Sequence, residues 1–430
     1  MSLALIRRGL RSRVGGSTAI MTVGMGLRLA LQMLSFVIVA GSMGAGQFGA
    51  FASVSALVSV VSAFSGWGAD QLIIRRVARN RSDLAKALGS GLVFLGLSAP
   101  ALAALALVLV PLLVDPSISW RIVLYVAAAD IVFAHINSCA AACYQAVDRP
   151  IGTAGLNLGF TGARVVAAVL WVSIAPIHDA FSWAGYYLGA SAIAGAISLW
   201  RVYRDLGKPV WQVAWSDWRD GFHFALQMAS FTAFGNIDKP VVAALSDLSI
   251  AGQYAAASRI SDAAMVPVRA LVFSTYARFF QAGASGPRES LKLALKMLPL
   301  GIALGAVGSL GIALMAPLAP HLLGHSYIGA GSVLLILTPL PILYAFYYLG
   351  ADVLVSSGHT GLRTIVQIAM VPINIALCGA LVPGHGAAGA AFAAVLTNLL
   401  VAAAAWLAVG CVARGRATVA HSSPVVRREE

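Results

Sequence analysis

Charged residues are scarce in this sequence. Aspartate, glutamate, lysine and arginine make up only 10% of the 430 residues, whereas hydrophobic residues make up 59%. A soluble globular domain carries about 25% charged residues, so a water-exposed fold of this length is excluded. The scarcity of charge therefore predicts a polytopic membrane protein with little soluble mass.

Cysteine is also rare, and all four cysteines lie in apolar stretches. Cys139 and Cys143 are one helical turn apart, but no histidine or further cysteine completes a zinc-type ligand set. We interpret the cysteines as small buried hydrophobic residues and expect no metal site. The net charge of +13 does not indicate nucleic-acid binding, because the cations are spread over short loops.

Motifs of common catalytic sites are absent as well. The sequence contains no Gly-rich loop ending in Gly-Lys-Ser/Thr, no G-x-S-x-G, no H-E-x-x-H and no tight carboxylate cluster. A membrane polymerase or ligase needs substrate-handling groups on sizeable outer loops, and every outer loop predicted here is short. We therefore expect neither an enzyme nor a cofactor.

Long apolar windows take up most of the chain. A helix needs about twenty apolar residues to cross a ~30 Å hydrocarbon core. Twelve windows meet this length, at residues 17–40, 48–69, 88–113, 120–146, 152–175, 180–202, 221–246, 251–276, 293–316, 331–357, 360–382 and 386–410. They predict an all-α polytopic membrane protein with twelve transmembrane helices; the eighth window is the weakest because three charged residues interrupt it.

The distribution of loop cations predicts the orientation. With the N-terminus inside, 22 of the 29 lysine and arginine residues fall on the cytoplasmic side, and only Arg121 borders the other side. This asymmetry follows the positive-inside rule and places both termini in the cytoplasm. The basic segment before the first window is not followed by a cleavage site, so we expect that window to be a retained span.

Weak internal similarity indicates a tandem duplication. Residues 43–51 precede a similar stretch, 246–254, by 203 positions, and Gly49 matches Gly252. Six spans per repeat give two halves of the same orientation, with the substrate path expected between them near the midplane. The predicted domains are two six-helix halves and a basic cytoplasmic tail, at residues 1–205, 206–414 and 415–430.

Six cations lie inside the predicted spans: Arg28, Arg164, Lys239, Arg259, Arg269 and Lys296. A charge at mid-membrane costs roughly 2.5–3.5 kcal/mol even on the lenient insertion scale. Such charges are kept mainly where they face a polar interior. The set therefore predicts a cationic cavity and an anionic substrate.

Helical spacing groups some of these cations with polar residues. Arg28 and Gln32 share one face of the first span, and Asn157 and Arg164 share one face of the fifth. Lys239 lies beside a polar face of the seventh span. We predict that these five residues line the cavity, with Arg28, Arg164 and Lys239 holding the anion.

The remaining intramembrane charges have local alternatives. Arg259 is a candidate cavity residue, but Asp262 is close enough in sequence to neutralise it. Lys296 lies near the inner end of its span, where its side chain can reach the interface. Asp238 and Lys239 point about 100° apart on a helix, so each is expected to pair with a different helix.

Asp130 lies in the middle of the fourth span. It is either a structural partner of Arg28 or Arg164 or a protonatable coupling site. Asp130 and Asp238 are the two candidate residues for ion coupling.

Three segments resemble signatures of one transporter family. Residues 43–51 (MGAGQFGAF) resemble the first-loop signature of Wzx-type polysaccharide flippases, within the superfamily that includes the MATE drug exporters. Residues 374–377 and 382–391 resemble the signature between spans eleven and twelve, and residues 252–257 with Arg259 are similar to the opening of span eight. The resemblance covers about residues 15–410.

This resemblance implies a flippase of the bacterial cytoplasmic membrane. Its substrate would be an undecaprenyl-diphosphate-linked oligosaccharide for cell-surface polysaccharide, moved by alternating access between leaflets, with a polymerase and a chain-length regulator as candidate partners. The chain has no room for the two extra spans of lipid II flippases. A MATE-like proton- or sodium-coupled antiporter is the alternative, although that reading favours a cavity dominated by carboxylates.

Overall fold

A computed structural model describes residues 13–212 and 218–415, and this part of the chain is helical without strands. The basic N-terminal residues Arg7, Arg8 and Arg11 and nearly all of the predicted tail, residues 416–430, lie outside it. In chain order the α-helices are α1 (Arg13–Met43), α2 (Ala45–Ser62), α3 (Ala69–Arg79), α4 (Leu84–Leu113), α5 (Trp120–Ala127), α6 (His135–Ala146), α7 (Pro150–Ile174), α8 (Ala180–Leu206), α9 (Trp218–Asn236), α10 (Asp238–Leu245), α11 (Leu248–Ala264), α12 (Val266–Ala284), α13 (Pro287–Met315), α14 (Ala319–Leu323), α15 (Ala330–Leu337), α16 (Leu340–Ser356) and α17 (Thr360–Ala413).

Many of these helices have the dimensions of membrane spans. Within the described residues, eight helical segments are long and apolar enough to cross a bilayer. The longest, α17, has 54 residues and bends at Gly386, where φ is 55°. Large apolar side chains such as Leu112 and Leu407 are exposed on the outside, as expected where the solvent is hydrocarbon. The number of spans and the orientation of the termini remain sequence predictions.

Several predicted spans are interrupted near their middle. A 3-10 turn (Ser65–Gly68) separates α2 from α3, and its residues Gly66, Trp67 and Gly68 all have positive φ. A π-helix (Ala128–Ala134) separates α5 from α6. Breaks of this kind free backbone groups, which membrane proteins tolerate only in a polar or protein-lined interior. They therefore mark the interior of this molecule.

The N-terminal and C-terminal parts of the chain meet closely between α2 and α11. A Cβ placed on Gly49 would lie 1.9 Å from the Leu248 carbonyl oxygen, and one placed on Gly252 would lie 1.9 Å from the Ala45 carbonyl oxygen. Only glycine permits this approach of two backbones. The two glycines matched in the sequence comparison thus face each other's helix; we call this contact the glycine seam.

A second contact between the two parts of the chain has a different composition. The ring of Phe222 on α9 lies 5.7 Å from the ring of Trp67, and Arg75 Nη2 on α3 lies 2.6 Å from Asp220 Oδ2. The Arg75 guanidinium holds the pKa of the Asp220 carboxyl below its ordinary value. We call this contact, made by aromatic rings and an ion pair, the aromatic seam.

Candidate functional site

Arg164 is held in a fixed orientation inside the bundle by residues from its own helix and from two other segments. Its Nη2 donates to Asp130 Oδ1 on the π-helix at 2.7 Å, and its Nε donates to Ser191 Oγ on α8 at 3.1 Å. The guanidinium carbon lies 4.0 Å from the centroid of the Tyr187 ring and 4.6 Å from that of Phe160. Stacking and charge-assisted hydrogen bonds together restrict the fork to one plane.

Part of the Arg164 guanidinium remains available to a ligand. Its side chain is 21% exposed, and Nη1 has no protein hydrogen-bond partner in the described part of the chain. Guanidinium nitrogens arranged in a plane bind phosphate oxygens two at a time. The arrangement fits an anion arriving at the Nη1 edge.

Two further arginines lie near this group. Arg28 on α1 is close enough to Arg164 for their positive charges to repel, and Arg259 on α11 acts electrostatically on Tyr187. Both are exposed on the surface of their helices, and neither forms an ion pair within residues 13–212 and 218–415. The three arginines come from both halves of the chain. We call Arg28, Arg164 and Arg259 the arginine site.

The other two residues of the predicted stripes differ in their surroundings. Gln32 is exposed one turn from Arg28. The Asn157 amide oxygen instead accepts a hydrogen bond from Asn137 Nδ2 at 3.2 Å, and Asn137 in turn accepts one from Ser198. This network joins α6, α7 and α8, so it stabilises their packing two helical turns from Arg164.

Lys239 lies in a polar chamber of about 50 Å³ that is separate from the arginine site. Its ammonium donates to the Gly235 carbonyl oxygen at 3.2 Å and lies 3.4 Å from Asp238 Oδ1. Tyr254 donates its hydroxyl to Asp238 Oδ2. Lys239 is only 4% exposed, and the arginine site is not part of this chamber's lining.

The predicted separate pairing of Asp238 and Lys239 is wrong, and the pair considered for Arg259 and Asp262 is not formed; in both cases a break in the helix is the reason. Asp238 and Lys239 pair with each other, because Pro240 interrupts the helix at Ile237 and the Lys239 N–H turns to Asp238 Oδ1 at 2.9 Å. Asp262 pairs with Arg269 at 3.4 Å and not with Arg259.

The second of these pairs spans the junction of α11 and α12 at Met265, just before Pro267, which sequence spacing on one helix does not anticipate. Lys296 is exposed, but α13 begins at Pro287, so Lys296 lies nine residues inside the helix and not near its end as predicted. Of the two partners considered for Asp130, the structure shows an ion pair with Arg164.

Tyr187 is a site residue that the sequence analysis missed. Its hydroxyl donates to Asp130 Oδ1 at 2.8 Å while its ring stacks on Arg164. A tyrosine in an apolar helix carries no distinguishing signal, since most pack in membrane interfaces or cores. The sequence did not predict the π-helix around Asp130 either, although π-helices are frequent at functional sites.

The site chemistry is that of anion binding. No group of three histidine, cysteine, aspartate or glutamate side chains suited to a metal ion occurs in the part of the chain that the structure describes. Three guanidinium groups, one of them oriented by a carboxylate and a tyrosine, instead provide a cationic surface between helices. Such a surface has the chemistry to bind a compact polyanion.

Comparisons with known proteins support a transporter fold. The inward-facing conformation of a multidrug-resistance MATE transporter of the MOP superfamily superposes with a TM-score of 0.76 at 13% identity, covering 92% of this chain and 100% of that one. The lipid II flippase MurJ in an inward closed conformation gives 0.70 at 12% identity, covering 91% and 87%.

A third structure shares the fold, a Pyrococcus furiosus MOP-superfamily transporter described as having a binding pocket of reversed polarity. It gives a TM-score of 0.63 at 13% identity, covering 94% of this chain and 98% of that one. A search of curated proteins finds no match. The family model described as polysaccharide biosynthesis protein matches residues 14–280. This chain belongs to the polysaccharide biosynthesis protein family.

Proposed function

We propose that this protein is a flippase that moves an undecaprenyl-diphosphate-linked oligosaccharide from the inner to the outer leaflet. The observation that carries the proposal is the grouping of three arginines: Arg28 lies near Arg164, and Arg164 and Arg259 both lie near Tyr187. A diphosphate is compact and multiply charged, so three guanidinium groups from separate helices are suited to it. Membership of the polysaccharide biosynthesis family supports the glycan part of the substrate.

The proposed architecture follows the sequence analysis. Twelve spans form two six-helix halves, residues 1–205 and 206–414, with both termini and the tail, 415–430, in the cytoplasm of a bacterium. The protein would act in the cytoplasmic membrane, in assembly of O-antigen or exopolysaccharide. A polysaccharide polymerase and a chain-length regulator would use its product; the flippase itself is proposed to have no enzymatic activity and no cofactor.

The two seams support alternating access. In the proposed topology the glycine seam closes the outer side, and the aromatic seam lies on the cytoplasmic side. Because the arginine site draws residues from both halves, rocking of the halves would expose it to one leaflet at a time. An inside-negative potential, worth about 2.3 kcal/mol per charge per 100 mV, favours outward movement of an anion.

Asp130 and Asp238 are proposed to couple transport to an ion. Each carboxylate contacts a cation and a tyrosine hydroxyl, so each can respond when its cation is drawn to a ligand. Asp130 touches the arginine site directly and is the stronger candidate. Lys239, which contacts Asp238, would act on the substrate only through a rearrangement of its chamber.

The test is transport by purified protein in proteoliposomes, using a fluorescent polyprenyl-diphosphate oligosaccharide. Arg28→Ala, Arg164→Ala and Arg259→Ala should each lower the initial rate about tenfold or more, since a hydrogen bond to a charged group contributes roughly 1.5–3 kcal/mol. Lys296→Ala, which removes an exposed cation of α13 outside the arginine site, is the matched control. Near-normal rates in all three arginine variants would disprove the proposal.

The second candidate is a MATE-like proton- or sodium-coupled antiporter of drugs or metabolites. The observation that favours it is the presence of a carboxylate in each of two cavities, within a fold shared with a MATE transporter. Asp238 lines the chamber of Lys239, and Asp130 lines a second cavity beside the arginine site. Ion-driven efflux of a small organic cation, abolished by Asp130→Asn and unaffected by Arg28→Ala, would establish this function instead.

A further inference from the structure

An acidic chamber of about 260 Å³ lies beside the arginine site, between the 3-10 turn, the π-helix and α9. Asp70, Asp130 and His135 are its titratable lining residues, and hydroxyl groups such as those of Ser62 and Ser138 line much of the rest. A single water needs about 10–15 Å³ of such volume. The chamber therefore has room for a hydrogen-bonded chain of waters, and Ser138 is an exposed residue of its lining.

Asp130 forms the wall between this chamber and the arginine site. Its Oδ1 accepts hydrogen bonds from both Arg164 and Tyr187. Its Oδ2 has no protein partner in the described residues, and Asp130 lines the chamber, so Oδ2 is the oxygen left to face it. One carboxylate thus serves two environments, a guanidinium on one side and the chamber on the other.

His135 begins the helix that follows the π-helix, and its ring is seated against the 3-10 turn. A Cβ on Gly66 would lie 2.1 Å from His135 Nε2, so the left-handed glycine makes the space that the imidazole fills. Nε2 also lies 3.4 Å from Cys139 Sγ. Nδ1 has no protein partner among the described residues, which leaves this nitrogen free to exchange a proton within the chamber.

The composition of the chamber fits protons better than a metal ion. The described residues contain no trio of ligating side chains, and α2 and α9 contribute only hydroxyl and apolar groups to the lining. Asp70 acts electrostatically on both His135 and Cys139. The charged and titratable groups that face Asp130 and His135 are Asp70, Cys139, Arg164, Tyr187 and, across the arginine site, Arg28 and Arg259.

We propose that the acidic chamber is a proton vestibule in which Asp70 and His135 relay a proton to Asp130 when a diphosphate binds Arg164. An anion that binds the Arg164 guanidinium draws the guanidinium away from Asp130. The carboxylate then loses its counter-charge, and a proton from the chamber adds to Oδ2. The site gains one positive charge as it gains the anion, which lowers the cost of burying the complex.

This inference rests on the proposed diphosphate site, and it predicts a defined proton count. Purified protein in lipid nanodiscs, in weak buffer with a pH dye, is titrated with farnesyl diphosphate as a short polyprenyl probe. About one proton should be taken up per bound diphosphate in the wild type, and none by Asp130→Asn, which still binds. Binding without proton uptake in the wild type, or equal uptake in Asp130→Asn, would overturn the relay.

The roles of Asp70 and His135 are tested by rate. In stopped-flow mixing, Asp70→Asn and His135→Gln should slow the proton uptake while leaving its final amount unchanged, since both residues conduct and do not hold the transferred proton. His321→Gln, which alters an exposed histidine elsewhere, is the control. An uptake rate unchanged in both variants contradicts a relay through them.

A second experiment examines the chamber without any diphosphate. In a Cys411→Ser background, Ser62→Cys is labelled from the cytoplasmic side with a trimethylammonium-ethyl or a sulfonato-ethyl methanethiosulfonate. Clefts lined by one sign of charge concentrate the opposite sign by about tenfold or more, so the cationic reagent should react faster, and Asp70→Asn should reduce its advantage. Faster reaction of the anionic reagent would refute an acidic vestibule.

The farnesyl diphosphate titration and the thiol reaction together distinguish failure of the diphosphate site from failure of the proton relay. Absence of farnesyl diphosphate binding, together with a cationic preference in the thiol reaction, would count against the diphosphate site and against the relay as a response to it. Binding without proton uptake would leave the flippase standing and remove the relay alone.

Discussion

Two aspartate–cation pairs inside the bundle have opposite surroundings. Arg164 reaches Asp130 across 34 residues of sequence and keeps 21% of its side chain exposed, and its Nη1 has no hydrogen-bond partner among the described residues. Lys239 pairs with the adjacent Asp238, is 5% exposed at its side chain, and also donates to the Gly235 carbonyl left by a helix break. The first pair leaves its cation available, whereas the second encloses it.

This difference shows that an intramembrane cation is not by itself a substrate contact. Membrane helices use the same charge to bind a ligand and to satisfy backbone groups freed at a break. What separates the two uses is the geometry of the partner. A carboxylate on another helix can part from its arginine when helices move, whereas neighbours on one helix stay together.

The largest effect should come from removing the enclosed cation. Lys239→Met leaves the Asp238 carboxylate buried without its counter-charge, which costs roughly 3–5 kcal/mol. Thermal unfolding in detergent, followed by tryptophan fluorescence, should show a large loss of stability. The double variant Asp238→Asn/Lys239→Met should regain most of it, and the exposed Lys296→Met should have no effect. An unchanged midpoint in Lys239→Met would mean that the chamber admits water freely.

Removing the available cation should instead reduce transport. Arg164→Ala should lower flipping by one to two orders of magnitude, from the roughly 1.5–3 kcal/mol of a charged hydrogen bond. Its stability should change by no more than about 1 kcal/mol, because Asp130 lines a cavity of about 260 Å³ that has room for water, whereas the cavity at Asp238 is about 50 Å³. Arg164→Lys, which keeps the charge but not the planar fork, should recover only part of the rate. If Arg164→Ala lost as much stability as Lys239→Met, the distinction between an available and an enclosed cation would be wrong.

Neutralising the carboxylates should separate the two pairs further. Asp130→Asn releases Arg164, so affinity for farnesyl diphosphate should rise by about fivefold, or ~1 kcal/mol, the size of an ordinary hydrogen-bond exchange. Its affinity should also vary less with pH than that of the wild type. Asp238→Asn should leave affinity unchanged. Equilibrium binding by microscale thermophoresis distinguishes these results, and equal gains in both variants would place the two chambers on one ligand path.

The smallest expected effect concerns the tyrosine. Tyr187→Phe removes the hydroxyl that donates to Asp130 but keeps the ring on Arg164, so flipping should fall only about two- to fivefold. Tyr187→Leu also loses the stacking and should fall further, by a contribution of roughly 0.5–2 kcal/mol. Initial flipping rates of the two variants compare these contributions. A greater loss of flipping rate in Tyr187→Phe than in Tyr187→Leu would show that stacking of the ring on Arg164 does not contribute.

Sequence reasoning reached the helical class and the polar faces because both depend on local composition and spacing. It placed Arg164 on a polar face and named Asp130 among its partners from hydropathy alone. It failed where helices break: the pairings of Lys239 and Arg269 both follow from an interruption near a proline. Tyr187 was out of reach, because its role depends on which helices neighbour α8.

The glycine seam also sets a mechanical limit on the molecule. At Gly49 and Gly252 a single added carbon would lie 1.9 Å from a facing carbonyl oxygen, where about 3.4 Å is the ordinary contact. One added methyl group would therefore have to push the two helices about 1.5 Å apart at this point. That separation would keep the seam from closing, but it is too small to disturb the rest of either helix. If the halves alternate as proposed, alanine at either position should favour the state in which this seam is parted.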